Sequence, residues 1–227
     1  MNSLIKVLLP AYYAVTPRAL GMNTGYTCIS KLKAYKSYVC NMYVRNCEGV
    51  YEPSDDTFVA ARLIEAEHGD KPKLCVDIGT GTGALSLCML AQSICPYVVA
   101  TDIDACAVYC AKYNTWRSPI LDVVQCNGVS CIRPMHGVLL VFNSPYLPPG
   151  EIDSTAWSGG ARVVKEILTQ LEGWRCWRML LIASSASPWS DIEEFVKRRG
   201  LRLRVVERRW EDFFVETIAA IIESRCA

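Results

Sequence analysis

The amino-acid sequence predicts an α/β protein: a mostly parallel, seven-stranded sheet with helices on both faces and an antiparallel C-terminal hairpin. Three observations carry this. From about residue 50 onward, strand-like and helix-like apolar patterns alternate, as they do where crossover helices join parallel strands. A glycine-rich turn between Ile78 and Ala84 joins a strand pattern to a helix pattern. Residues 138–142 are continuously apolar, which suits a central strand covered on both faces.

Taken in order, residues 1–49 form an N-terminal arm, punctuated by Pro10, Pro17, Gly21 and Gly25 and rich in tyrosine, which reads as partly helical. Residues 50–227 form the main domain. Its first helix spans 55–68, with Ser54 as N-cap, Asp55 and Asp56 in the first turn and Gly69 as the stop. A strand at 73–78 follows, then a buried helix at 84–93 that is apolar nearly all round. Further strands are expected at 97–101, 121–126, 138–142 and 178–183. Helices are expected from the Asp104 cap through Asn114, at 162–171 and at 188–199, and two last strands pair as a hairpin.

At 227 residues, 51% hydrophobic and 21% charged, the chain can bury one sizeable core. A formal net charge of +1 excludes the basic field of a duplex-binding protein. Lys197, Arg198, Arg199, Arg202, Arg204, Arg208 and Arg209 do crowd one stretch, read as a solvated helix end and strand face. Twelve cysteines are scattered without Cys-x-x-Cys pairs, so no metal site is expected. Cys106 and Cys110, four apart on a helix, read as small buried apolar residues. So many thiols suit the disulfide-rich intracellular proteins of hyperthermophiles, as do three glutamines and an excess of arginine over lysine. Residues 4–9 make a poor signal peptide and no run is long enough to cross a bilayer, so a cytoplasmic protein is expected.

In Asp77-Ile78-Gly79-Thr80-Gly81-Thr82-Gly83 a strand ends and a helix begins, with glycines that permit a tight turn and close approach of a ligand. Gly79-x-Gly81-x-x-Ala84 also fits the relaxed dinucleotide pattern. Asp102, at the tip of the next strand, is placed to grip ribose hydroxyls in either cofactor class. Asp77 favours S-adenosylmethionine, because an acid there can pair the methionine ammonium and would repel a pyrophosphate.

Asn143-Ser144-Pro145-Tyr146 directly follows the central apolar strand, at the carboxyl edge where open α/β sheets bind ligands. An amide or aromatic amino nitrogen is a poor nucleophile, and two acceptors that hold both its N–H bonds stabilise the charge growing there during methyl transfer. Asn143 Oδ1 and the Ser144 carbonyl supply them, Pro145 stiffens the turn, and Tyr146 offers a flat face for the acceptor. No strong general base is needed, and His68 and His136 are read as structural. Together the two loops specify a Rossmann-like class I S-adenosylmethionine-dependent methyltransferase.

At these residues the chain resembles the HemK family of protein glutamine methyltransferases, more closely its archaeal and eukaryotic release-factor branch. The most specific match is Val50-Tyr51-Glu52-Pro53-Ser54-Asp55-Asp56-Thr57-Phe58, and the likeness runs from about residue 49 to the end. The resemblance implies that Thr57, Asp77, Gly79, Asp102, Asn127 and Gly128 contact the cofactor. With the loop residues Thr80, Gly81 and Gly83, with Ile103 beside Asp102 and with Asn143, they form the expected cofactor set. It further implies that Asn143, Ser144, Pro145 and Tyr146 hold a glutamine side chain, the acceptor being the Gly-Gly-Gln motif of a class 1 peptide-chain release factor. Trp157, Gly159 and Gly160 resemble the family's segment after the acceptor loop. A small zinc-binding activator protein is implied as partner, landing on the third strand from Ile120 to Cys126.

The chain departs from the pattern in Ser144, where the family usually has proline, and in Asn127, where it often has aspartate. Its arm is longer than the family's usual start, which makes Met22 a candidate initiator. The residues alone leave other acceptors open. A nucleic-acid adenine or guanine N-methyltransferase uses the same chemistry, and a protein-lysine methyltransferase ranks third.

Overall fold

The computed structural model describes residues 32–69, 71–145, 159–210 and 215–226. Two strands come first, β1 (Leu32–Val39) and β2 (Met42–Cys47), then α1 (Asp55–Glu65), β3 (Leu74–Ile78), α2 (Ala84–Ala91), β4 (Val98–Asp102), α3 (Ala105–Thr115) and β5 (Leu121–Gln125). The chain continues through β6 (Val138–Asn143), α4 (Gly160–Gln170), β7 (Arg178–Ser184), α5 (Trp189–Arg198), β8 (Arg202–Trp210) and β9 (Glu216–Glu223). The main sheet has seven strands in the order β5-β4-β3-β6-β7-β9-β8. Its first five are parallel, and β9 runs antiparallel to β7 and to β8, which gives the expected hairpin.

The strands alternate their side chains between two cores. Leu74, Val76 and Ile78 of β3 and Val138, Leu140 and Phe142 of β6 pack with α4 and α5 on one face. Cys75 of β3 and Leu139 and Val141 of β6 pack with α1 and α2 on the other. A central strand buried on both sides has to be apolar throughout, which is why 138–142 shows no alternation.

Helix α1 starts as expected, with a capping box between Ser54 and Thr57, but it ends at Glu65, before the expected residue 68. Gly69 is needed for another reason. A Cβ there would lie 2.6 Å from Arg178 Nη1, the group that pairs with Glu67 at 2.5 Å.

The arm is described only in part. Residues 32–47 form an antiparallel hairpin rather than helix, and 1–31 lie outside the described residues. Cys40 and Asn41 make its two-residue turn with φ of 47° and 61°, the conformation that matches the twist of paired strands. Tyr35, Tyr38 and Tyr43 are exposed. Tyr38 and Tyr43 are cross-strand partners, and the register shift between Leu32 and Lys36 breaks the period-two alternation that would have marked the strand.

Cys110 is likewise not a simple apolar residue. It is bonded to Cys47, and Cys40 to Cys88, so two disulfides tie the hairpin to α2 and α3. Cys75–Cys95, Cys126–Cys131 and Cys176–Cys226 are also bonded, Cys106 is disulfide-bonded as well, and no described cysteine is free. The basic stretch pairs with acids, Arg198 with Glu194, Arg199 with Glu172 and Arg208 with Glu216, as a solvated face does. No described helix is long and apolar enough to cross a membrane.

The Cys47–Cys110 bond closes 63 residues of chain, a loop whose entropy in the unfolded state is worth about 4 kcal/mol if strain is ignored. Replacing both cysteines with alanine is expected to lower the unfolding free energy in chemical denaturation by about 2–4 kcal/mol. A loss under about 0.5 kcal/mol would mean that the bond does little to restrict the unfolded chain.

Candidate functional site

Parallel strands end together, so the loops after β3, β4 and β6 converge at one rim of the sheet. A cavity of about 410 Å³ opens there. In the glycine loop Gly79, Gly81 and Gly83 have φ of 66°, 54° and 83°, which side chains with a Cβ adopt only with strain. A Cβ on Gly79 or Gly81 would meet only one protein atom, at 3.8 or 3.7 Å, because both residues border open cavity. Gly83 serves packing instead: a Cβ there would approach the Ala111 backbone to 3.2 Å, and the residue caps α2.

Asp77 lies beneath this loop and is 1% exposed. Its Oδ2 accepts from Thr80 Oγ1 at 2.7 Å and Ser86 Oγ at 2.6 Å. The residue does not line the cavity, so the structure gives it a loop-bracing position rather than the expected direct pairing with a ligand ammonium. Burial pushes its carboxyl above the ordinary range, against the pull of the two hydroxyls.

Asp102 does line the cavity. Its two oxygens accept from the backbone N–H groups of Gly81 and Asp104, each at 2.9 Å, so it fixes the loop while presenting a carboxylate to the cavity. Burial raises its pKa to about 6 despite those bonds. Thr57, Thr80, Ile103, Asn127 and Gly128 also line the cavity. Gly128 has a φ of 60°, and a Cβ on it would strike Ile167 Cδ1 at 2.2 Å.

The acceptor loop meets the same cavity. Asn143 ends β6, and its Nδ2 donates to Asp56 Oδ2 at 3.0 Å. Its Oδ1 is buried and has no hydrogen-bond partner. Buried polar atoms are nearly always satisfied, so an unpartnered acceptor on a residue that lines a cavity suits a donor on a ligand. The serine at 144 proves apt. Its backbone N–H and hydroxyl both donate to Ile182 O, at 2.9 and 2.8 Å, where a proline could donate neither. Pro145 lines the cavity, while Tyr146 and Trp157 lie outside the described residues.

Gly159 and Gly160 start α4 where no side chain fits: a Cβ on Gly160 would stand 1.9 Å from Ser187 Oγ. This close approach delivers Arg162, Val163, Glu166 and Ile167 to the cavity wall. Sequence reasoning found that helix but not its role, because an amphipathic pattern identifies a buried face and not what else the face touches. It also missed Tyr51 and Asp56 as site residues. Asp56 looked like a dipole-favoured acid, and only its 3.0 Å bond to Asn143 shows more. Asp56 is engaged by Asn143, Tyr51 and Thr57, and the remaining lining carries Asp102, Asp104 and Glu166 against Arg162, an acidic balance that suits a cationic ligand and opposes a pyrophosphate.

No protein-family model matches the chain. It is 33% identical over 135 residues to the mouse methyltransferase HEMK2, covering 49% of this chain and 58% of that one. It is 36% identical over 104 residues to a release factor glutamine methyltransferase of Deinococcus radiodurans, covering 45% of this chain and 36% of that one. The chain therefore spans a little over half the length, or less, of these curated relatives. Among solved structures, a chain of the E. cuniculi Mtq2–Trm112 complex, responsible for methylation of the eRF1 translation termination factor, superposes with a TM-score of 0.58 at 18% identity. The match covers 78% of this chain and 99% of that one. The chain thus has the Rossmann-like fold of class I S-adenosylmethionine-dependent methyltransferases, and its sequence is similar to HEMK2 and to release factor glutamine methyltransferases.

Proposed function

We propose that the chain is an S-adenosylmethionine-dependent N-methyltransferase whose acceptor is the glutamine side-chain amide of a Gly-Gly-Gln motif in a class 1 peptide-chain release factor. The observation that carries this is the buried, unpartnered Oδ1 of Asn143 on the wall of a cavity shared with the glycine loop. The release factor glutamine methyltransferase relative and the eRF1-methylating neighbour support the same acceptor class.

The cavity fits the cofactor. Gly79 and Gly81 leave room for it, Asp102 suits the ribose hydroxyls, Asn127 and Gly128 suit the adenine, and the acidic lining suits two cationic centres. When bound, S-adenosylmethionine supplies a methyl group on an electrophilic sulfonium. The chain's own part is to orient the acceptor and accommodate charge. Asn143 Oδ1 accepts one N–H of the acceptor amide and the Ser144 carbonyl the other, which aligns the nitrogen and stabilises the positive charge that grows on it. Tyr146 contributes a flat apolar face. No side chain has to remove a proton before transfer.

Among the described residues strand β5 ends the sheet, with β4 as its one neighbour, and an unpaired edge is an invitation to pairing. Near it Ile103, Trp116 and Ile120 are 55%, 69% and 40% exposed. A small zinc-binding partner that covers this edge from Ile120 to Cys126 accounts for that apolar surface. A cytoplasmic location accords with a substrate drawn from translation.

Labelled cofactor incubated with release factor, or with RNA, with and without the partner, tests the assignment. Label in the release-factor glutamine supports it, and label in RNA alone overturns it in favour of a nucleic-acid amino group. Asn143→Ala is expected to cut kcat by about 10²–10³-fold while leaving cofactor affinity, read by calorimetry, within about twofold. Equal losses in both would assign Asn143 to cofactor binding only.

The Asp102 carboxyl, raised to about 6, is neutral below that pH and ionised above it. Only the ionised form offers both oxygens as acceptors. Cofactor affinity is therefore expected to be flat above about pH 7 and to weaken as pH falls through about 6, by up to about tenfold per unit. In Asp102→Asn the affinity is weak throughout and this step is gone; a step that survives belongs to another group. At the sheet edge, Ile120→Glu is expected to weaken partner binding at least about tenfold without unfolding the chain, read by calorimetric titration. Unchanged affinity would move the docking site elsewhere.

A further inference from the structure

We infer that Asp56, keyed by the Tyr51 hydroxyl, is the positioning residue that holds the Asn143 amide with its oxygen toward the acceptor. The inference rests on the methyltransferase reading above and deepens it. A side-chain amide is nearly symmetric in shape but opposite in chemistry at its two ends. Flipped by 180°, Asn143 would present an NH2 group to an acceptor that itself has only N–H bonds to offer at the reacting nitrogen, and the two would repel. Such a site needs something behind the asparagine that tolerates one orientation alone.

Asp56 has that property. An ionised carboxylate accepts and never donates, so Nδ2 of Asn143 can face Asp56 Oδ2, as it does at 3.0 Å, and Oδ1 cannot. The carboxylate is itself immobilised. Its Oδ2 also accepts from Tyr51 Oη at 2.7 Å, and its Oδ1 accepts from Thr57 N at 2.6 Å and Thr57 Oγ1 at 3.2 Å. Every bond comes from a donor, and a neutral amide in place of the acid could accept at only one of the two oxygen positions. Asp56 is 8% exposed and lies in the first turn of α1, where the helix dipole favours its charge. On the far side of the amide, the orphaned Oδ1 of Asn143 is what a locked, acceptor-out orientation leaves when no acceptor is bound.

The decisive variant is Asp56→Asn, which keeps volume and one capping oxygen but adds an NH2 that can donate to a flipped Asn143. It is expected to lower kcat about 10–100-fold, with cofactor affinity within about twofold and thermal stability within a few degrees of wild type. Tyr51→Phe, which frees the carboxylate without removing it, is expected to lower kcat by a smaller factor, about threefold to tenfold. The lock is also readable without turnover. The Asn143 side-chain NH2 signal, assigned by its loss in Asn143→Ala, is expected to exchange slowly with solvent in the wild type and fast in Asp56→Asn. A kcat within twofold of wild type overturns the inference, and so does a kcat loss matched by parallel losses of cofactor affinity and stability, which would mark a structural acid at a helix end. If the wild type labels no amide or amino acceptor, the methyltransferase reading fails separately, and the amide exchange alone decides the lock, retained protection in Asp56→Asn overturning it.

Discussion

The site depends on the pairing of β3 with β6, in which Ile78 lies opposite Phe142. Each strand ends at that level, so the glycine loop and Asn143 leave the sheet side by side, one strand spacing apart. Because side chains alternate with a period of two, a slip of one residue would exchange every face of β6 and turn Asn143 away from the cavity. The slip is prevented by burial on both sides. Val138, Leu140 and Phe142 fill one core and Leu139 and Val141 the other, so the polar chemistry at the rim is held in register by apolar residues that take no part in it.

Placing two loops at a buried rim leaves acids and backbone groups to be satisfied there. Asp77 answers the strain of the glycine turn by accepting from Thr80 and Ser86, and Asp102 by accepting from the Gly81 and Asp104 N–H groups. Both carboxyls are pushed upward by burial. The glycine loop is therefore braced by two acids, one buried beneath it and one at its rim. Ser144 is fixed in the same way, with both its donors on Ile182 O.

How much of this was legible in the sequence follows from the range of each interaction. The central strand, the glycine loop and the Asn143 turn were readable because local pattern and backbone requirement coincide there: a strand buried on both faces must be apolar, and three positive φ values within five residues favour glycines. The capping box of α1 was readable for the same reason, although the end of the helix was not, since Gly69 answers to Arg178 more than a hundred residues away. The hairpin at 32–47 was hidden because its turn is Cys40-Asn41, without glycine, and its exposed face carries tyrosines that suggest no fixed period. Disulfide partners 48 and 63 residues apart leave no trace in spacing. Asp56 had an adequate local explanation as a helix-start acid, and that explanation concealed its contact with a residue 87 positions later.

The arm also belongs to the site more closely than its sequence suggests. Asn114 of α3 bonds at once to the N–H of Arg45 in β2 at 2.9 Å, to Arg45 O at 2.9 Å, and to Thr82 O in the glycine loop at 2.9 Å. The Cys47–Cys110 bond fastens the same strand to the same helix. From that double anchor the chain runs through Val50 and Tyr51 along the cavity into α1, so the Tyr51 hydroxyl reaches Asp56 from a segment fixed at both ends. A loose strap would leave the tyrosine free to swing out and the carboxylate free to rotate. Covalent and hydrogen-bonded fastening of a surface hairpin thus becomes, through the Tyr51–Asp56 and Asp56–Asn143 bonds, a constraint on how one asparagine sits at the cavity.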